Sequence, residues 1–425
     1  MSNLNEKRNQ GITEYSVIVC FLLLKIWCVF ANMALLFAAG GVISVAIDLG
    51  LSVYVILNAM RRRSTRNEEV KTNNFIIVWL CFAVIYSLIF LLARDTLPQT
   101  SFVGLFVLPK QINNTIFSAI YLCALVLAIK NLNESERKMI SRVLFVMFFA
   151  VALGNLITTM LNPDLVKNEA YTEDTSLFTL GYVSSYVLVL LTPMILYKLG
   201  DKRHKWFFAL FLVCNLASIF YGGYLIAILG TIVALVMYLI LAIKNKIAVF
   251  VLGIFLIVLS VAFIFSGALE EFVRYLSENI EVEVLQDRLD DIARYLSGDT
   301  DVSKEDTTFR IKIYQDTFNS FLKHPVFGNY IFGNYSCQRD HSTMLDLLSA
   351  GGIFLFGLFM TMIVTGYKFA CTFIKSARAR RALFTSIVTY LFIYLLNPVL
   401  THKLLGVLFV IAPIIMGGEA SDENS

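Results

Sequence analysis

Apolar runs of about 20 residues recur along almost the whole chain, and that is the length at which an α-helix crosses about 30 Å of hydrocarbon. Such a chain has little freedom of fold, because an unpaired peptide group in lipid costs several kcal/mol and a helix satisfies its own. A share of 58% hydrophobic against 16% charged residues excludes an ordinary water-soluble protein. The expected fold class is therefore all-α: a polytopic membrane protein of ten to twelve transmembrane helices. Twelve crossings are read, at residues 15–35, 41–59, 75–93, 113–129, 140–160, 178–197, 206–220, 224–243, 247–265, 345–369, 382–396 and 404–416. The last two are short enough to be tilted or partly re-entrant. The first run is too long for a cleaved signal peptide, and no small-residue cleavage site follows it.

Basic residues orient such a bundle. With a cytoplasmic N-terminus the inside segments hold 22 Lys and Arg, while the short outside loops hold only four: Arg94, Lys110, Lys167 and Lys403. Both termini are then expected in the cytoplasm. One stretch, 268–340, breaks the tight up-and-down pattern and falls outside. It carries 14 acidic and 8 basic residues. The chain thus divides into an N-terminal transmembrane bundle (1–267, about nine helices), a large loop (268–340), and C-terminal transmembrane helices with a short acidic tail (341–425). Within the loop, Leu285, Leu289, Ile292 and Leu296 recur at helical intervals and predict one amphipathic helix over Leu269–Leu296. A second begins at Thr307 or Thr308, either of which can cap it, and places Tyr314, Phe318, Phe321 and Leu322 on one face. It ends before Pro325, which disfavours helix in the residue preceding it.

Reactive groups concentrate between Arg310 and His341: Lys312, Tyr314, Lys323, His324, the turn Pro325-Val-Phe-Gly328-Asn-Tyr, and Arg339. An Arg presents a fixed fork of donors to phosphate oxygens, and a His exchanges protons near neutral pH. Taken alone, Arg310 reads more readily as a solvated or salt-bridged helix residue than as a functional one, and Gly328 and Gly333 suit tight turns whatever the function. His324 and His402 fall on the same side and rival His341 for the proton-handling role. Lys25 and Asp48 lie within the first two apolar runs, where ionisable groups are functional candidates but also pair structurally. Six of the seven cysteines lie in or at the edge of apolar spans, and Cys337 has no partner in the loop. The outside His and acidic residues show no compact ligand spacing, so neither a metal nor any other cofactor is expected.

The order Arg310, Tyr314, Pro325, Gly328, His341, Leu345, Leu348, Gly351, Gly352, Phe354, Gly357, on an outside loop after about nine crossings, resembles the signature region of the O-antigen ligase and Wzy-type polysaccharide polymerase superfamily. The sequence departs from that pattern in three ways. Ser342 stands where the family usually has Asn, Gly328-Asn329-Tyr330 replaces Gly-x-Gly, and the turn Phe220-Tyr221-Gly222-Gly223-Tyr224 lacks the Ser-Arg of many members. The resemblance implies a GT-C-like glycosyltransferase of the bacterial inner membrane that joins undecaprenyl-diphosphate-linked repeat units at the outer face. A ligase moving glycan to a lipid core or protein is the alternative within the class, and a lipid-linked oligosaccharide flippase the alternative outside it. On this resemblance His341 and Arg310 are the catalytic pair, while Arg288, Arg294, Arg339, Tyr314, His324, Arg94 and Lys110 bind diphosphate or glycan. Arg274 is a further candidate for the diphosphate interaction that a Ser-Arg turn would otherwise supply. The implied partners are the lipid-linked oligosaccharides, the bilayer, a chain-length regulator and a flippase, with no nucleic acid.

Overall fold

The computed structural model describes residues 13–26, 40–64, 74–97, 99–102, 106–161, 182–200, 204–243, 245, 247, 268–280, 282–297, 307–335, 342–398, 400 and 402–417. Most of the crossing expected at 247–265 lies outside the described residues, as do Cys28, Cys337, Arg339 and His341, and the side chains of Lys25, Asp48, Lys110, Arg310 and His402. The chain is an all-helical polytopic membrane protein. Among the described residues five helices are long and apolar enough to span a bilayer, and six shorter apolar helices accompany them.

In chain order the helices are α1 (Glu14–Ile26), α2 (Gly40–Ser64), α3 (Asn74–Leu92), α4 (Lys110–Asn131), α5 (Glu134–Leu161), α6 (Tyr182–Lys198), α7 (Lys205–Tyr221) and α8 (Leu225–Ile240). The loop contributes α9 (Ala268–Asn279), α10 (Glu283–Leu296) and α11 (Thr307–Lys323), and the chain closes with α12 (Thr343–Cys371), α13 (Ala377–Leu396), α14 (His402–Gly406), a π turn (Val407–Ile411) and α15 (Ala412–Met416). One antiparallel hairpin, β1 (Gln99–Phe102) with β2 (Phe106–Pro109), joins α3 to α4. Its signal was two runs of β-prone residues around Gly104.

The membrane-spanning helices are apolar on every side over most of their length, as lipid requires. On α3, Trp79, Phe82, Tyr86 and Phe90 are buried, while Leu80, Val84 and Leu88 point outward one helical turn apart. The buried face packs along α12 through a ladder of rings: Phe75 with Phe369 (5.8 Å), Phe82 with Phe359 (5.8 Å), and Phe90 with Tyr330 of the loop (5.3 Å). That ladder fixes depth. Phe90 and Tyr330 mark the loop end of the bundle, and Phe75 and Phe369 the opposite end.

The last segment is the least exposed of all. Every residue from Leu404 to Met416 is buried, and its three pieces touch α4, α5, α6, α12 and α13. The short final span is surrounded by these helices, and its shortness matters little where protein rather than lipid surrounds it. Pro193 removes an N–H from α6, and polar side chains from neighbouring helices bond beside the break: Asn215 to the Leu188 carbonyl (3.2 Å) and Ser386 to that of Leu190 (2.9 Å). Lys130, Arg137, Lys198 and Arg378 lie over Phe369, Phe373, Tyr197 and Tyr197, at the end opposite the loop.

In the loop the single helix expected over Leu269–Leu296 is two, α9 and α10, packed against each other. The buried positions explain the break. Val273 precedes it, Leu285, Leu289 and Ala293 follow it, and the two stripes can cover each other only if the chain reverses between them. Asn279 folds its amide back onto the Tyr275 carbonyl (2.7 Å), and Ser277 bonds Asp290 across the hairpin. This small core rests on Leu225 and Ile228 of α8. Among its described residues the loop therefore holds three amphipathic helices where the sequence suggested two, α11 starting at Thr307 and ending before Pro325 as the sequence predicts.

Candidate functional site at the loop end of the bundle

After α11 the chain turns through Pro325-Val-Phe-Gly328, and this turn docks onto α12 where that helix is broken. Gly352 has φ 65° and ψ −166°, neither helical. The amides of Ile353 and Phe354, which a continuous helix would direct to the carbonyls of Ser349 and Ala350, donate instead to the carbonyls of Pro325 (2.8 Å) and Val326 (3.1 Å). The released Ser349 carbonyl accepts from both the Asn329 backbone amide (2.8 Å) and the Asn329 side-chain amide (2.9 Å). The same side chain also donates to the Ser320 carbonyl of α11 (2.8 Å). So the turn and the kink complete each other's backbone hydrogen bonding, which a buried site demands.

The approach is close enough to require glycine on both sides. A Cβ on Gly328, whose φ is 75°, would come within 2.3 Å of the Ala350 carbonyl, and one on Gly352 within 2.3 Å of the Val326 carbonyl. Beneath the turn Tyr330 is fully buried between Phe90 and Tyr335. Pro325, Gly328 and Gly352 thus fix α11 against α12 through backbone contacts.

A second junction lies at the end of α13. The Tyr314 hydroxyl of α11 donates to the Leu396 carbonyl (2.8 Å), while the Thr343 amide (3.3 Å) and hydroxyl (3.1 Å) donate to the next carbonyl, Asn397. The Asn397 side chain in turn bonds the Tyr186 hydroxyl of α6. Ser342 caps α12, its Oγ accepting from the Leu345 amide (3.2 Å). Four elements meet there: α6, α11, α12 and α13.

Of the residues singled out from sequence, Tyr314 is therefore brought to the junction by a defined bond. His324 stacks on Phe332, ring centroids 4.2 Å apart. Arg288 is half-buried beside the apolar face of α10, and Arg294 is exposed on the side opposite Leu285. Arg94 is exposed, with its Nε 3.4 Å from Asp95; it and Lys110, the first residue of α4, bracket the hairpin. Arg274 pairs with Glu270 on α9 (2.6 Å). Arg339 and His341, and the side chains of Arg310 and Lys110, lie outside the described residues. Where the family's Ser-Arg would stand, the turn between α7 and α8 presents Phe220 and Tyr221, both exposed and edge to face at 5.7 Å.

Sequence reasoning noted Asn329 only as a departure from Gly-x-Gly and passed over Asp346. Asp346 is 4% exposed in the first turn of α12, within electrostatic reach of the buried Tyr394. Its signal was a carboxylate just inside an apolar span. The Tyr390 and Tyr394 hydroxyls find no hydrogen-bond partner among the described residues, and no group of three His, Cys, Asp or Glu among those residues is placed to hold a metal ion.

Comparison with known families matches residues 208–329 to the family described as O-antigen ligase. The match runs from α7 through the loop to Asn329 and so includes Arg310, Tyr314, Pro325 and Gly328; the stretch from His341 to Gly357 lies beyond it. No curated protein matches the chain.

Proposed function

We propose, from the match of residues 208–329 to the O-antigen ligase family, that the chain is a membrane glycosyltransferase of the O-antigen ligase and Wzy superfamily, and within it a polysaccharide polymerase. It transfers a growing glycan from its undecaprenyl-diphosphate carrier onto the next lipid-linked repeat unit, at the outer face of the inner membrane. The acceptor hydroxyl oxygen bonds to the anomeric carbon, the bond from that carbon to the carrier phosphate breaks, and the diphosphate leaves with the electron pair. His341 takes or orients the hydroxyl proton. Arg310, with Arg288, Arg339 or another loop arginine, neutralises the departing diphosphate, so cationic side chains supply the charge stabilisation the step needs.

One observation carries this pairing of Arg310 with His341. Tyr314, one turn beyond Arg310 on α11, and Thr343, two residues beyond His341, bond to consecutive carbonyls at the end of α13. The helix that carries Arg310 and the helix that begins two residues after His341 in sequence are thus tied to one corner, on the loop side, where in this reading a lipid diphosphate lies. In this reading Asp346, buried in the first turn of α12, is the carboxylate that orients an imidazole or holds an acceptor hydroxyl.

The test is glycan length in a deletion strain. It should accumulate single repeat units on the carrier, and Arg310→Ala or His341→Ala, present at normal protein level, should not restore polymer. Normal-length polymer from either variant removes that residue from the mechanism. Polymer that forms in the deletion strain but stays unattached to its final acceptor establishes the ligase instead.

A further inference from the structure

We propose that the docked turn of the loop is embedded in the bilayer, its apolar face covered by phospholipid acyl chains of the loop-side leaflet. The face comprises Phe318 and Leu322 of α11, Val326 and Phe327 of the turn, and Ile331 and Phe332 of the 3-10 turn that follows, each 45–59% exposed. Six large apolar side chains exposed together within 15 residues form a patch that a water-facing loop does not leave open. The inference concerns what covers this surface and is independent of the reaction assigned above.

Continuity with the membrane-spanning surface identifies the occupant. The Phe327 ring lies 6.0 Å from that of Phe354. Ile353 and Phe354 are 57% and 47% exposed and begin the outward stripe of α12 that continues through Thr361 and Val364. From Ile353 to Cys371 that helix runs 19 residues, about 28 Å at 1.5 Å per residue, which by itself matches the hydrocarbon thickness of about 30 Å. The kink at Gly352 therefore lies at the acyl boundary, and the turn bonded to it lies at the same depth.

The polar edge of α11 fits the same placement. Lys312, Gln315, Asp316, Asn319 and Lys323 form the exposed sector next to Phe318 and Leu322, the division of faces found in interfacial helices. Charge is distributed accordingly. Residues 307–335 hold three basic residues and one acidic, whereas the remainder of the loop holds five basic and thirteen acidic. The part of an otherwise acidic loop that meets phosphate head groups is the part with a positive balance.

The experiment places a photoreactive benzoylphenylalanine at Phe327 or Phe332, and for comparison at Gln315 or Asn319 on the polar edge. The full chain is held in nanodiscs of phosphatidylethanolamine and phosphatidylglycerol with a minor fraction of undecaprenyl phosphate. After illumination, mass spectrometry should find phospholipid adducts at 327 and 332 in several-fold excess over 315 and 319. Adducts mainly to undecaprenyl phosphate would reassign the face to the carrier's tail, and adducts to a second copy of the chain would make it a protein interface. Equal yields at all four positions would return the turn to water. Each of these three outcomes overturns the proposal. Because all four positions are exposed, misfolding of the labelled chains does not confuse the reading.

Discussion

Replacing Gly352 by Ala asks whether the turn is held by the kink or merely lies near it. In the docked state a Cβ at this position would stand 2.3 Å from the Val326 carbonyl oxygen and 2.7 Å from the Gly328 amide nitrogen. The backbone angles, φ 65° and ψ −166°, cost a residue with a Cβ about 1–3 kcal/mol. Relieving the overlap with fixed backbone atoms costs about 1–3 kcal/mol more. The undocked state has an escape open to it: Ala adopts helical angles, and the Ile353 and Phe354 amides return to the carbonyls of Ser349 and Ala350. A central value of about 4 kcal/mol against docking lowers the docking equilibrium constant about a thousandfold. The assay is hydrogen exchange on the full chain in nanodiscs. In the wild type the amides of Gly328, bonded to His324, and Asn329, bonded to Ser349, should be protected. In Gly352→Ala both should exchange rapidly, while α6 and α13 exchange as before. Unchanged protection at Asn329 would refute the claim that the kink is built around the turn.

Three further substitutions test the packing around that contact. Asn329→Asp replaces two donors with a carboxylate facing the Ser320 and Ser349 carbonyls, and should lower the melting temperature more than Asn329→Ala does, where the loss is about 2–4 kcal/mol. Only the neutral acid can donate there, which raises the folded-state pKa of the new group; its remaining stability is present at low pH and lost as pH rises through that pKa, so the deficit should be larger at about pH 8 than at about pH 5. Tyr314→Phe removes one bond to the Leu396 carbonyl and should cost about 1 kcal/mol in detergent melting, with Tyr314→Ala costing clearly more. Gly366→Ala pushes a methyl to within 2.8 Å of the Phe409 ring at the centre of the bundle. It should lower melting by about 1–3 kcal/mol without changing exchange in the turn.

The spans were legible because lipid imposes a length and a composition that a one-dimensional pattern carries. The loop helix at Thr307 was legible for a similar reason, since a Thr of capping type at its start and Pro325 after its end are local signals in the sequence. What escaped were features set by partners distant in sequence. Gly351 and Gly352 were visible as a glycine pair in an apolar span, but nothing nearby announces that the helix breaks there; the amides it frees are bonded by Pro325 and Val326, across the loop. The break at Ile280 between α9 and α10 has the same origin, since each stripe looks amphipathic until the two are seen to cover each other. The central place of residues 404–416 is also beyond local reading, because a span buried by protein and a span buried by lipid are equally apolar.

The division between scaffold and chemistry within one motif makes the two kinds of failure separable. Pro325, Gly328 and Gly352 hold α11 to α12 through backbone contacts, and Tyr314 and Thr343 tie the same helices to the end of α13. If Arg310 and His341 act on the substrate from this framework, Arg310→Ala and His341→Ala should abolish polymer while leaving exchange at Gly328 and Asn329 at the wild-type level. Gly352→Ala should abolish polymer only by releasing those amides, and at matched protein level the loss should track the fraction undocked. An Arg310→Ala chain with an unprotected turn would instead make Arg310 one more part of the clamp. The diphosphate would then have to be held by other cations of the loop; among the described ones Arg288, half-buried on α10, is held against the protein rather than turned to water.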